Sequence, residues 1–287
     1  MKKFKALYYS LYIILALIVI GFYLINYGNP IIKARVEKDA KEYISRHHKD
    51  LDLEIEGVSY QMMGGFYVVE LQDKESQDTN FKLNYDAHGK FMYTTYDEIL
   101  GNTYDRYRAF LKDYAKDIAD EEAFDFELSL EPDNELKYEY YLTLDQDFDR
   151  EHLPSKVLAH FHAYEDEPSL DGMMTRLKKV QKATSKRNLD VRYYSGRIIP
   201  TADKAEEGMA EPWWNAISVD RVMEKTILDG NMETLERIYE RKNDSSHKNI
   251  FENFIKGGYY ERIKKFIIIF SNTINIFRNT HNSLILW

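Results

Sequence analysis

Residues 6–32 run for 27 positions without a charged side chain, with Lys2, Lys3 and Lys5 before them and Lys33 and Arg35 after. The most apolar part, Ala6 to Tyr27, has 22 residues. At ~1.5 Å per residue a helix of that length reaches about 33 Å, enough to cross a hydrocarbon core of about 30 Å. Tyr8, Tyr9, Tyr23 and Tyr27 stand at its two ends, where aromatic rings favour the interface. The exit, Leu24-Ile25-Asn26-Tyr27-Gly28-Asn29-Pro30, lacks the small-residue pattern of a cleavage site. The span is therefore expected to be an anchor, not a cleaved signal peptide.

Beyond Gly28-Asn29-Pro30 the apolar period changes. Ile32, Val36, Ala40, Tyr43 and Ile44 mark an amphipathic helix to about His47. Alternation then predicts four strands, at 51–56, 66–71, 81–85 and 90–95, with turns at Gly64-Gly65 and Asp86-Ala87-His88-Gly89. Leu100, Tyr104, Tyr107, Leu111, Tyr114 and Ile118 keep helical spacing along an aromatic face. Helix, four-stranded meander and helix make an α+β domain over 29–120.

A second α+β domain is expected over 121–245. Phe124, Phe126, Leu128 and Leu130 alternate, Pro132-Asp133-Asn134 turns, and Leu136, Tyr138, Tyr140, Leu142 and Leu144 alternate back, which predicts a hairpin. A strand at 157–163, a helix over 170–186, a strand from 189 closed by Ser195-Gly196, a long loop at 200–217 and a helix over 219–241 follow. Both domains are expected to be antiparallel sheets packed by helices. Residues 246–287 read as a helical tail with Tyr259, Ile263, Phe266, Ile267 and Phe270 on one face. It would be docked on the body, laid on lipid, or the product of a shifted reading frame.

Charge narrows the partners. The chain carries 39 Lys and Arg against 48 Asp and Glu, net −9, and within 36–248 the balance is 29 to 46. A field of that sign repels nucleic acid, which is excluded as a partner. The basic side chains flanking the span are nearly balanced and leave its direction open. The wholly basic first five residues and the absence of Cys favour an inside N-terminus and an extracytoplasmic bulk.

Chemistry-bearing motifs are few. Asp145-Gln146-Asp147-Phe148-Asp149 begins like an EF-hand loop, but Arg150 stands where the turn needs Gly and Lys156 where a bidentate Glu belongs. It reads as a solvated acidic strand end. There is no H-E-x-x-H, no G-x-S-x-G and no Gly-rich phosphate loop. His160 and His162, two apart on an expected strand, share a face and form the one candidate metal pair, with His152, Glu165, Asp166 or Glu167 as third ligand. Trp213-Trp214, in a loop flanked by Pro and Gly, are candidate partner contacts. No catalytic residue and no cofactor is assigned.

The run Phe81-Lys82-Leu83-Asn84-Tyr85-Asp86-Ala87-His88-Gly89-Lys90-Phe91-Met92-Tyr93, followed by Tyr96 to Tyr114 with Gly101, Thr103 and Arg106, resembles the YfjL-like membrane-anchored proteins of Bacillus-type bacteria. The resemblance covers about 5–240 and implies cystatin-like or PepSY-like modules and an extracytoplasmic, non-enzymatic role. The favoured expectation is a single-pass protein of the cell envelope. It would sit in the bilayer through residues 6–27 and bind another envelope protein or a peptide. The alternative is a metal-binding sensor or metal-dependent hydrolase using His160 and His162.

Overall fold

The structure, a computed structural model, describes residues 2–206, 209, 213 and 215–241. The expected tail over 246–287 and Trp214 lie outside the described residues. The described chain is mixed α+β and divides into two compact units: residues up to 114 with 131–156, and 115–130 with the described residues from 157 to 241. They interleave in sequence, so the expected boundary at 120 falls within a helix, and residues 131–156 pack with the first unit.

In the first unit, α1 (Lys2–Tyr27) and α2 (Pro30–His47) are separated by a two-residue joint. Gly28 takes φ +75, and Asn29 caps α2 by accepting the Ile31 amide at 2.9 Å, with Pro30 in the first turn where no amide proton is needed. β1 (Leu53–Gln61), β2 (Phe66–Asp73), β3 (Asn80–Tyr85) and β4 (Phe91–Thr94) form an antiparallel sheet in sequential order. The four expected strands are all present. The inner faces of β2 and β3 bury Tyr67, Val69, Leu71, Phe81, Leu83 and Tyr85 against Val36 and Ala40 of α2. α3 (Leu100–Glu121), whose last residues belong to the second unit, buries Tyr107, Leu111, Tyr114 and Ile118 of the expected stripe, while Leu100 and Tyr104 are half-buried.

The hairpin expected at 136–144 does not form. Residues 138–140 make a single turn of 3-10 helix, and Tyr138 stacks on Tyr104 of α3 at 4.9 Å. The Asp133 carboxylate accepts the Glu135 amide at 3.1 Å and turns the chain away from a strand. Tyr138 and Leu142, four residues apart, satisfy a helical turn as well as they satisfy alternation, and the aromatic stack decides between them.

The second unit holds most of a sheet in the order β5 (Glu127–Pro132), β6 (Val157–Glu165), β7 (Val191–Pro200) and β8 (Ile217–Val222). This sheet is mixed, not antiparallel: β6 and β7 run parallel, joined through α4 (Leu170–Lys186). A helix between two strands returns the chain to the starting edge, so the second strand repeats the direction of the first. Ser195-Gly196 does not close β7. Gly196 lies mid-strand, and a Cβ there would meet Phe161 Cε1 at 2.4 Å and Met173 Sδ at 2.6 Å. The strand needs Gly because α4 and β6 fill that space.

The helix expected over 219–241 is also corrected. β8 takes its start, where Val219 and Val222 are buried. α5 (Glu224–Leu228) ends at Gly230, φ +60, and Asn231 caps a helical run over 232–241 by accepting the Thr234 amide at 3.0 Å.

The joint between α1 and α2 is tightly enclosed. A Cβ on Gly28 would lie 2.8 Å from both Tyr60 Cγ and Tyr67 Oη, at a φ that L residues rarely adopt. Gly28→Ala is expected to destabilise the first unit by about 1–3 kcal/mol. Urea unfolding of the detergent-solubilised chain checks this, and an unchanged midpoint would count against a closed joint.

Candidate functional site

Two side-chain assemblies stand out, one in each unit. In the first unit Asp78, in the turn between β2 and β3, is 2 % exposed. Arg106 of α3 grips its carboxylate with two parallel bonds, Nε to Oδ1 at 3.1 Å and Nη2 to Oδ2 at 2.8 Å. Thr103 Oγ1 donates to Oδ2 at 2.6 Å, and Asn102 donates to the Asp78 and Asn80 carbonyls at 2.8 Å each. Arg106 also reaches the Gln146 carbonyl at 2.7 Å and lies over the Phe148 ring at 4.8 Å.

Asp145, the first residue of the discarded calcium motif, is not a solvated strand end. Its Oδ1 accepts the Asp78 amide at 2.9 Å and the Ser76 hydroxyl at 3.0 Å, with its own φ at +59. The acidic loop is thus a clamp that ties 143–148 to the β2–β3 turn. Every strong group at Asp78 is matched, which marks the cluster as structural. Burial alone would push the Asp78 carboxyl up, but the bonds from Arg106 and Thr103 and the Arg106 charge outweigh it and hold the group below the usual carboxylate range.

A depressed folded-state value means that this contribution is complete above the unfolded carboxyl range near pH ~3.9 and is lost as pH falls through the lower folded value. Sequence reasoning missed this pair. Thr103 and Arg106 share a helix face, but nothing in the chain points that face at residue 78.

In the second unit α4 packs on one sheet face, where Phe161, Met173 and Gly196 meet. The alternation of β6 puts His160, His162 and Tyr164 on the other. In the parallel register His160 lies opposite Ser195 and His162 opposite Arg197. The His162 ring is 5.1 Å from that of Tyr164, and Lys204 Nζ lies 4.7 Å over Tyr164. The Arg197 guanidinium lies 4.9 Å over the ring of Trp213, which is 63 % exposed. Asn215, two residues beyond Trp213, donates to the Asp203 carboxylate at 2.7 Å.

His162, beside Arg197 in register, and Trp213, under the Arg197 guanidinium, therefore share one strip of rings and cations, and His160 lies on the same strand face opposite Ser195. Arg197, the residue that links them, was not singled out by the sequence because its only signal is its register beside His162. Of the expected third ligands, Glu165 is engaged by Arg176 of α4 in a half-buried ion pair. Among the described residues, the ligand set of three that converges within 4.8 Å is Asp149, Glu151 and His152, all exposed. The outer strip offers a planar cation backed by an aromatic ring, a geometry suited to holding a carboxylate beside an apolar group.

Residues 3–97 match the family model described as YfjL-like, N-terminal domain, which supports a YfjL-like assignment. No curated protein and no solved structure matches the chain. The cystatin-like expectation accordingly has no solved counterpart.

Asp78→Asn leaves the Arg106 charge without its carboxylate and is expected to cost about 3–5 kcal/mol in the first unit. Amide exchange across 76–80 should quicken by at least about 100-fold. Exchange at the wild-type rate would contradict a closed network.

Proposed function

We propose that the chain is a single-pass membrane protein of the cell envelope, with α1 retained as its anchor and both units carried outside the membrane as a non-enzymatic binding module. One observation carries the reading. Described side chains around α1 from Tyr12 to Tyr27 are exposed on all sides, with Ile13, Leu17, Ile18, Phe22 and Ile25 each more than half exposed. A helix apolar all round whose side chains from Tyr12 to Ile20 stay exposed has hydrocarbon as its natural solvent. The helix is long and apolar enough to cross a membrane. From residue 3 on it lies inside the segment that the family model matches, residues 3–97, and it is joined to the sheet through the capped joint at Gly28-Asn29.

Direction rests on Lys2, Lys3 and Lys5 before the span and on the lack of Cys in a domain that would meet oxidants. The binding surface in this reading is the strip of His162, Arg197 and Trp213, and its chemistry suits an acidic or C-terminal carboxylate peptide of another envelope protein.

Protease treatment of intact cells, with a tag at each end, tests the placement. The C-terminal tag is expected to be cut and the N-terminal tag protected. Protection of both, or loss of the N-terminal tag alone, contradicts it. Photo-crosslinking from position 213 in the same cells should capture an envelope partner, and Arg197→Ala should abolish the capture without changing chain abundance.

A further inference from the structure

The β1–β2 hairpin ends in an apolar tip beside the anchor. We propose that this tip, Met62-Met63-Gly64-Gly65 with Phe66, inserts into the bilayer interface as a second, non-covalent membrane contact. The proposal rests on α1 being the membrane anchor.

Geometry sets the position of the tip. Tyr67 Oη accepts the Asn29 amide at 2.7 Å, and Tyr60, its cross-strand partner, packs on Gly28 with it. The hairpin is therefore bolted to the joint where α1 ends. Its direction follows from the other end of the sheet. Leu71 pairs with Phe81, whose ring is 5.2 Å from that of His48 at the far end of α2. From Leu71 to Tyr67 the strand thus runs from the end of α2 back to its start. Beyond Tyr67 the hairpin continues past that start, and β1 lies against α1. At ~3.4 Å per residue the turn reaches roughly 10 Å past the bolt, alongside the last turns of the anchor.

Composition and exposure fit lipid. No charge occurs from Gly57 to Val69, in a chain that is 30 % charged. Met63 is 100 % exposed and Met62 51 %. The turn is closed by its own backbone, with Gly64 and Gly65 amides donating to the Gln61 carbonyl at 3.1 and 2.7 Å. Gly65 takes φ +66, and a Cβ on Gly64 would meet the Phe66 ring at 2.2 Å, so the ring lies folded on the turn. With two of its amides bonded internally, the turn carries less of the desolvation cost of entering a poorly hydrated layer. Its flexible thioethers then take the place that interfacial apolar side chains occupy. Glu56 and Glu70, which flank the uncharged stretch, stay on the aqueous side of it.

The chain contains no Cys, so single-cysteine variants carry a spin label at one place only. Full-length Leu17→Cys, Met63→Cys and Glu75→Cys variants are reconstituted in phosphatidylcholine/phosphatidylglycerol vesicles and probed by collision with oxygen and with a polar nickel chelate. The expected result is preferential oxygen access at 17 and, at shallower depth, at 63, with preferential chelate access at 75. Oxygen preference at 17 with chelate preference at 63 overturns the insertion and leaves the anchor standing. Chelate preference at 17 overturns the anchor, and the insertion with it. A Met62→Ser/Met63→Ser variant carrying the probe at 61 should shift toward chelate access relative to the same probe on the native tip. No shift also overturns the proposal.

Discussion

The hydroxyl of Tyr67 on the backbone of Asn29 is the contact on which the arrangement of the first unit depends. A helix made for lipid and a sheet made for water meet in two residues, and both residues are committed. Gly28 supplies a left-handed turn under two tyrosine rings, and Asn29 caps the second helix while giving its own amide to Tyr67. Freed from that hydroxyl, the joint would be a short linker with Gly at its centre, and the direction of α1 relative to the sheet would vary. Held by it, the anchor carries the sheet edge and the hairpin tip at a set position.

The Asp78–Arg106 pair performs the comparable task within the first unit. It connects a loop between strands, a helix and the 143–148 segment by charge-assisted bonds, in place of a larger apolar core. In the second unit ion pairs do similar work at the helix end: Arg187, following α4, meets Glu121 and Glu122, and Lys186 reaches Glu122 at 2.9 Å. Those surface pairs hold the Glu122 carboxyl below its ordinary range, while Tyr194, buried against Thr184, has its phenol pushed up to about 12 by desolvation. An acidic chain thus spends many of its cations internally.

How far the sequence could be read depended on whether one interaction or several decided the outcome. The meander over 53–94 was legible because β2 and β3 bury an inner face, β1 half-buries one by alternation, and each turn has its own chemistry, such as Asp86, whose carboxylate accepts the His88 and Lys90 amides. Residues 136–144 were misread because tyrosines satisfy two periods, and a stack on Tyr104 chose the helical one. The parallel direction of β7 was written in the strand–helix–strand order, but Ser195-Gly196 imitated a turn, since the reason for Gly196 lies in Phe161 and Met173. The candidate site was half legible. His160 and His162 could be assigned to one face from their spacing, whereas Arg197 joins them only through strand register, and Asp78 meets Arg106 only through packing.

The most direct test is the rigidity of the joint, measured as a distance across it. Spin labels at Phe22→Cys on the anchor and Lys41→Cys on α2, in bilayer-reconstituted full-length chain, report that distance by double electron–electron resonance. A single narrow distribution that broadens in a Tyr67→Phe background is the predicted result. A broad distribution in the otherwise native chain would contradict the account, because anchor and sheet would then be joined only by a flexible link.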